Sequence, residues 1–497
     1  MKGRKVLVVG AGNAALCAAL AARERGADVL VLERAPRPTR GGNTAFTAGA
    51  MRVAYDGVDD LRQLMPELTD DEVAMVDFGT YPKSAFLEDM ACVTEYRTDP
   101  DLAATLVESS FETLLWMREK GVRFLPIYGR QAFKVDGRFT FWGGLTVEVS
   151  GGGPGLVDSL VASCEREGIT IEYGARVQSL LQDDVGICGV ILKQDNKVRE
   201  EPADAVILAC GGFQANTEWR TRYLGPSWDL AKVRGTIHNT GDGHRMALDA
   251  GASSAGNWSG CHSVGWDRNA PEFGDLAVGD NFQKHSYPFG IMVNAEGRRF
   301  VDEGADFRNY TYAKYGRRIL EQPGQFAWQI FDQKVVHLLR DEYRIRQVTK
   351  VAAHSLEALA EKLEGVNPVS FLDEIAAYNS AVDVNTLFNP NVKDGRGTKG
   401  LAVNKTNWAN RIDEGPYEAY AVTCGITFTF GGVRIDTRGR VLDTDMAPMP
   451  GLYAAGEIVG GIFYFNYPGG TGLTNGSVYG RIAGYEAASA PDERRGS

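Results

Sequence analysis

The sequence predicts an α/β protein: a discontinuous Rossmann-like nucleotide-binding domain carrying an inserted α+β capping domain. Three observations carry this. A β-branched run feeds directly into a glycine fingerprint near residue 10. Strand-to-glycine junctions recur far along the chain, at Ala205 to Gly212 (AVILACGG) and Gly451 to Glu457 (GLYAAGE). The stretch between them has another texture, rich in aromatics, Asn, Asp and Gly from Trp258 to about Tyr310. The expected divisions are 1–255 and 425–490 for the nucleotide-binding domain, 256–424 for the cap and 491–497 for a mobile tail.

Lys5 to Gly10 reads KVLVVG, the apolar pattern of a buried parallel strand. Gly10-Ala11-Gly12-Asn13-Ala14-Ala15 follows, then an Ala-rich helical segment to about Arg25 and a second strand from Asp28 that ends at Glu33. This is the G-x-G-x-x-G/A fingerprint in its proper setting. Gly10 permits the tight turn, Gly12 lets the backbone approach a pyrophosphate, and Ala15 keeps helix and strand close. The pyrophosphate sits at the positive end of the helix. Glu33 stands where a carboxylate meets ribose hydroxyls, with Arg34 beside it. FAD and NAD both use this turn. The loop Arg40-Gly41-Gly42-Asn43-Thr44, continuing through Thr47, Ala48 and Gly49, is small and hydroxyl-rich. It suits either wrapping a flavin or an open surface loop.

Two helix-like segments lie within His354 to Val382, with Ser355 as an N-cap. Asn466 to Gly476 (NYPGGTGLTNG) opens a helical run through Ala488. A glycine loop feeding a helix presents free N–H groups and a positive dipole end, suited to the N1–C2=O edge of a flavin. Without a ligand it reads as a capping loop.

Composition sets outer limits. The chain has 497 residues, 53 Lys plus Arg against 64 Asp plus Glu, and a formal net charge of −11, which disfavours nucleic acid as a partner. Glycine accounts for 59 residues, about 12% against a typical ~7%, in clusters without period. No apolar run approaches a membrane span. Lys2, Arg4 and Lys5 before the apolar stretch to Ala22 imitate a signal peptide, but the fingerprint explains that stretch better. Seven scattered cysteines without a C-x-x-C fit reduced thiols in a cytoplasm, and no haem, iron–sulfur or metal motif is visible.

Taken together, these segments resemble the fumarate reductase/succinate dehydrogenase flavoprotein family over nearly the whole chain. The likeness rests on the fingerprint, Gly41-Gly42-Asn43-Thr44, Gly241-Asp242-Gly243, Gly290 to Glu303 (GIMVNAEGRRFVDE), Gly431-Gly432-Val433 and Ala454-Ala455-Gly456-Glu457. It implies bound FAD, a Rossmann-like FAD domain and a cap that closes over the substrate. Thr39 and Arg40 precede Gly41-Gly42 where covalently flavinylated members carry His, so the FAD is expected to be non-covalent. Beyond the fingerprint residues and loop already named, the expected cofactor contacts are Val177, Ala209, Gly211, Gly212, Asp242, Gly456, Glu457, Gly470, Thr471, Gly472 and Leu473.

The substrate residues depart from fumarate reductases. Where those carry a His before Thr-x-Gly-Gly, this chain has Thr427; where they carry a carboxylate-clamping Arg, it has Tyr467. His262 matches a substrate-binding His, and Arg308 the proton-transferring Arg, one residue further from Glu303 than usual. Within the family the closest likeness is to the tricarballylate dehydrogenase subgroup. Ketosteroid dehydrogenases share a Tyr-Pro-Gly element, whose Tyr binds a carbonyl.

The resemblance thus implies an FAD-dependent oxidoreductase that forms or reduces a C–C double bond beside a carboxylate, with Arg308, His262, Tyr467 and Thr427 at the reacting end. A ketosteroid-like desaturase or ene-reductase is the alternative within enzymes; a non-catalytic flavin-binding protein is the alternative outside them. The residues themselves leave a structural ion pair open for Arg308, a structural role for His262 and packing for Tyr467. His244 reads as structural and His285 as open. The expected partners are a small carboxylate or enone and a separate electron-transfer protein or small acceptor.

Overall fold

The computed structural model describes residues 3–141 and 144–490, so the expected tail at 491–497 lies outside the described residues. Four strands arise early: β1 (Lys5–Val9), β2 (Asp28–Glu33), β3 (Thr170–Tyr173) and β4 (Ala205–Leu208). β1 pairs in parallel with both β2 and β4, and β2 with β3. Val6, Leu7, Val8 and all of β4 are fully buried, which is why these strands read as unbroken apolar runs.

Between β1 and β2 runs α1 (Asn13–Glu24). Six of its residues are alanine, the strongest helix former. The chain then leaves this sheet for a second one: β5 (Lys232–Val233), β6 (Ser254–Asp267), β7 (Ile291–Val293), β8 (Phe326–Phe331), β9 (Lys350–Ala353) and β10 (Tyr417–Val433). β10 is its spine. The N-terminal part pairs with β8 and β9, the C-terminal part with β5 and β6. β10 runs unbroken through residue 424, so no linker separates the segments on either side of it. Against this sheet lie α2 (Arg308–Leu320) and α3 (Pro368–Ala381). α3 begins with Pro at N1 and an Asn367 cap that accepts from Val369 and Ser370 N–H at 3.1 Å. Ser355 caps the short helix Leu356–Ala360, accepting from Ala358 N–H at 3.2 Å.

The chain then rejoins the first sheet through β11 (Arg440–Leu442) and β12 (Pro448–Ala454), completing the order β11-β12-β4-β1-β2-β3. It ends the described region in α4 (Thr471–Ser489). α4 packs along α1 through Gly476, Gly480 and Gly484, one face at four-residue spacing. A Cβ on Gly480 would fall 2.3 Å from the Ala14 carbonyl oxygen, and one on Gly484 2.2 Å from that of Ala18. Side-chain-free contact brings the starts of the two helices to one place. Among the described residues no helix is long and apolar enough to cross a membrane.

Candidate active site

The carboxyl ends of β1, β2, β4 and β12 open onto one cavity of about 1570 Å³, its mouth included. Gly10, Glu33, Ala209 and Ala455, each at or just past a strand end, line it. α1 and α4 both start there. Their N-caps, Gly12 and Gly470, lack a capping side chain, so the positive helix ends face the cavity. Asn13 locks the two together: its Nδ2 donates to the Leu473 carbonyl at 2.7 Å, and its Oδ1 accepts from Ser477 Oγ at 3.0 Å. Thr44 Oγ1 accepts the Asn13 N–H at 3.0 Å.

Two glycines separate turn from cradle. Gly10 has φ +110°, and a Cβ there would sit 2.4 Å from the Ala209 carbonyl oxygen, so the turn itself demands glycine. Gly12 has φ −79°, and its Cβ would meet protein only at 3.5 Å. Among the described residues nothing forbids a side chain at Gly12; the space it would fill is cavity. Glu33 accepts from the N–H groups of Ala11 at 2.7 Å and Ala35 at 2.6 Å, while burial pushes its pKa up. Glu457 accepts from Thr429 N–H at 3.0 Å and Asn239 Nδ2 at 3.2 Å, and burial raises it to about 7.

The other end of the cavity is cationic and phenolic. Asp280 accepts from Arg130 Nη1 at 2.8 Å, Arg234 Nε at 2.8 Å and Gln283 Nε2 at 2.7 Å. Arg234 Nη1 also donates to Thr427 Oγ1 at 3.2 Å. Arg308, the first residue of α2, donates from Nη1 to His285 Nδ1 at 3.2 Å and from Nη2 to the Arg130 carbonyl. Burial, with Arg130 nearby, pulls the Arg308 pKa down despite the opposing field of Glu342. His285 is held far below its usual range by burial and the surrounding arginines, so it is neutral. One turn along α2, Tyr312 pairs hydroxyl to hydroxyl with Tyr467 at 2.5 Å, and burial raises both phenols.

Of the residues singled out from sequence, Gly10, Gly12, Asn13, Ala14, Glu33, Gly42, Asn43, Thr44, Thr47, Ala48, Ala209, Gly211, Gly456, Glu457, Gly470, Gly472, Leu473, Thr427, Arg308 and Tyr467 line the cavity. Ala15, Gly41, Gly49, Gly212 and Thr471 are not among the lining residues. Gly212 serves packing, since a Cβ there would strike Glu457 Oε1. Arg34 and Asp242 form an ion pair at 3.1 Å outside the lining; Val177 is core and Arg40 pairs with Asp158. His262 also lies outside the lining. Its ring stacks on Phe428 with centroids 5.2 Å apart, behind Tyr312 and Tyr467. Burial and Arg234 hold it neutral. Arg130, Arg234, Asp280, Gln283 and Tyr312 are lining residues that the sequence reading missed. Tyr312 had a signal: it is four residues after Arg308 on one helix, hence on the same face.

The profile of a family described as "FAD binding domain" matches residues 5–473. The chain belongs to this FAD-binding flavoprotein family. A probable fumarate reductase, Ifc3, of Shewanella frigidimarina is 30% identical over 97% of this flavoprotein and 74% of the relative. A urocanate reductase of Eggerthella lenta is 30% identical over 97% and 74%. A 3-ketosteroid Δ1-dehydrogenase from Sterolibacterium denitrificans shares the fold, with a TM-score of 0.75 at 20% identity over 99% of this chain and all of that one. The flavoprotein is an FAD-dependent oxidoreductase acting on CH–CH groups. Its residues fit the cofactor: two uncapped helix starts, a carboxylate at the end of β2 and a cradle that a Cβ on Gly12 would fill.

Proposed function

We propose that this flavoprotein forms or reduces a C–C double bond beside a carboxylate, with the FAD held non-covalently. When bound, FAD supplies the acceptor or donor of hydride. The α1 and α4 helix starts hold its anionic groups and Glu33 its ribose hydroxyls. Non-covalent binding is supported by Thr39 and Arg40 standing before Gly41-Gly42, where a His would be needed.

The observation that carries the substrate class is the charge at the far end of the cavity. Arg130, Arg234 and Arg308 line it against one carboxylate, Asp280, which already serves two of them. Such a wall binds an anion. Arg308 is the proton carrier in this reading. Its lowered pKa supports the role, because an unperturbed guanidinium rarely gives up a proton. Neutral His285 accepts from Arg308 through Nδ1 and so fixes the guanidinium plane. Tyr467, backed by Tyr312, donates to the oxygen that activates the substrate. Fumarate is disfavoured because Tyr467 stands in place of the clamping Arg, and a tricarballylate-like polycarboxylate fits better. The seven unbridged cysteines support a reducing compartment, with electrons passing to or from a separate protein or small acceptor.

The buried pair of phenols favours a second reading, a desaturase or ene-reductase on a carbonyl compound. An anaerobic visible-absorption titration of the purified protein with tricarballylate separates them. Bleaching of the oxidised flavin band is expected. An unchanged band with tricarballylate but bleaching with a hydrophobic ketone would transfer the assignment to the second reading.

A further inference from the structure

A second, smaller cavity lies directly behind the Arg308–His285 pair. It holds about 330 Å³ with its mouth included, and both residues line it as well as the main cavity. The rest of its wall is Phe133, Ser286, Pro288, Phe289, Phe307, Arg340, Pro390 and Trp408, mostly apolar. Arg340 enters from the side, its guanidinium 3.9 Å from the centre of the Phe133 ring. Its Nη1 donates to the carbonyls of Gly129 at 3.1 Å and Ala132 at 3.0 Å.

Three nitrogens of these residues are buried without a hydrogen-bond partner among the described residues: Arg340 Nη2, Arg308 Nε and His285 Nε2. All three are donors. The guanidiniums have no acceptor capacity, and His285 carries its proton on Nε2 because Nδ1 accepts from Arg308. A buried donor left unpaired costs about 1–3 kcal/mol, more when charged. Among the described residues neither Arg308 nor Arg340 makes an ion pair, since Asp280 is taken by Arg130 and Arg234. Glu342 acts on both only through its field.

We propose that this cavity binds a small monovalent anion of halide size between Arg340, Arg308 and His285. An anion answers three donors and offsets buried positive charge. Water answers the donors less well, because its own two hydrogens need acceptors and the wall is dominated by rings and prolines. The apolar rim disfavours strongly hydrated ions. The depressed pKa of Arg340, about 9, agrees with a cation lacking its counter-charge. The site shares Arg308 and His285 with the main cavity, whereas Arg340 lines the smaller cavity alone.

The test uses the FAD-loaded protein. Crystals soaked in bromide should give an anomalous peak within contact distance of Arg340 and Arg308. Thermal unfolding should shift upward with chloride at constant ionic strength against gluconate, with saturation. In Arg340→Gln the bromide dissociation constant should weaken at least tenfold. If that variant does not fold, the wild-type crystal decides alone. No bromide peak at Arg340, or equal stability in chloride and gluconate, overturns the proposal. So does a peak that Arg340→Gln leaves unchanged.

Discussion

The hydroxyls of Tyr312 and Tyr467 lie 2.5 Å apart, one carried by the first turns of α2 and the other by the loop that feeds α4. Burial raises both phenols, so both stay protonated at neutral pH and one must donate to the other. The proton left over is available to a substrate oxygen. Tyr467→Phe should lower kcat/KM by about 10- to 100-fold while the flavin spectrum stays intact. Tyr312→Phe should produce a smaller loss, acting through Tyr467. Steady-state kinetics beside flavin absorbance checks both, and unaltered kinetics in Tyr467→Phe would remove it from the site.

Arg308→Lys should retain FAD and lose turnover by roughly 10²- to 10⁴-fold, the usual worth of a positioned proton carrier. Lysine keeps the charge but not the forked contact with His285 and the Arg130 carbonyl. Turnover close to wild type would show that another group moves the proton.

Gly10 and Gly12 should separate folding from cofactor binding. Gly10→Ala forces a Cβ into the Ala209 carbonyl at a positive φ and should lower the melting temperature of the apoprotein. Gly12→Ala should melt like wild type yet bind FAD at least tenfold more weakly. Calorimetry of the apoprotein with FAD titration measures the two effects. Equal FAD affinity in Gly12→Ala would mean that the cofactor does not approach that backbone.

Glu457 gives the apoprotein a pH signature. Its folded pKa, raised by burial to about 7, lies above the ordinary value of 4.5. The folded state therefore holds the proton more tightly than the unfolded chain. The associated stability is complete below pH ~4.5 and is lost as pH rises through about 7. Glu148 shifts the same way, so the contrast must be internal. Glu457→Gln should flatten the fall in apoprotein melting temperature across this window. An unchanged slope would show that Glu457 ionises normally.

The nucleotide-binding half was legible because its rules are local. A parallel strand, a glycine turn, a helix start and a carboxylate at the next strand end all sit within the first 33 residues, and spacing alone relates them. The cationic end was not. Arg130, Arg234 and Asp280 come from three separate segments, and only the tertiary fold gathers them. Nothing in the sequence near any of them marks a site. Arg308 and Tyr467 were reached through family likeness, whereas Tyr312 could have been found from its four-residue step along α2. His262 was reached in the same way, and its ring stacks on Phe428 and meets Tyr312 and Tyr467 edge-on.

The α1–α4 contact also bears on assembly during synthesis. Gly12 and Gly470 start the two helices that meet at the cavity, yet the second is made only after more than four hundred further residues. At about 5–20 residues per second, the early strands wait on the order of a minute for that partner. Until Gly476 has left the ribosome, α1 exposes the face that Gly476, Gly480 and Gly484 later cover. The cofactor cradle is therefore complete only once α4 has been made, and until then α1 lacks the partner that covers this face.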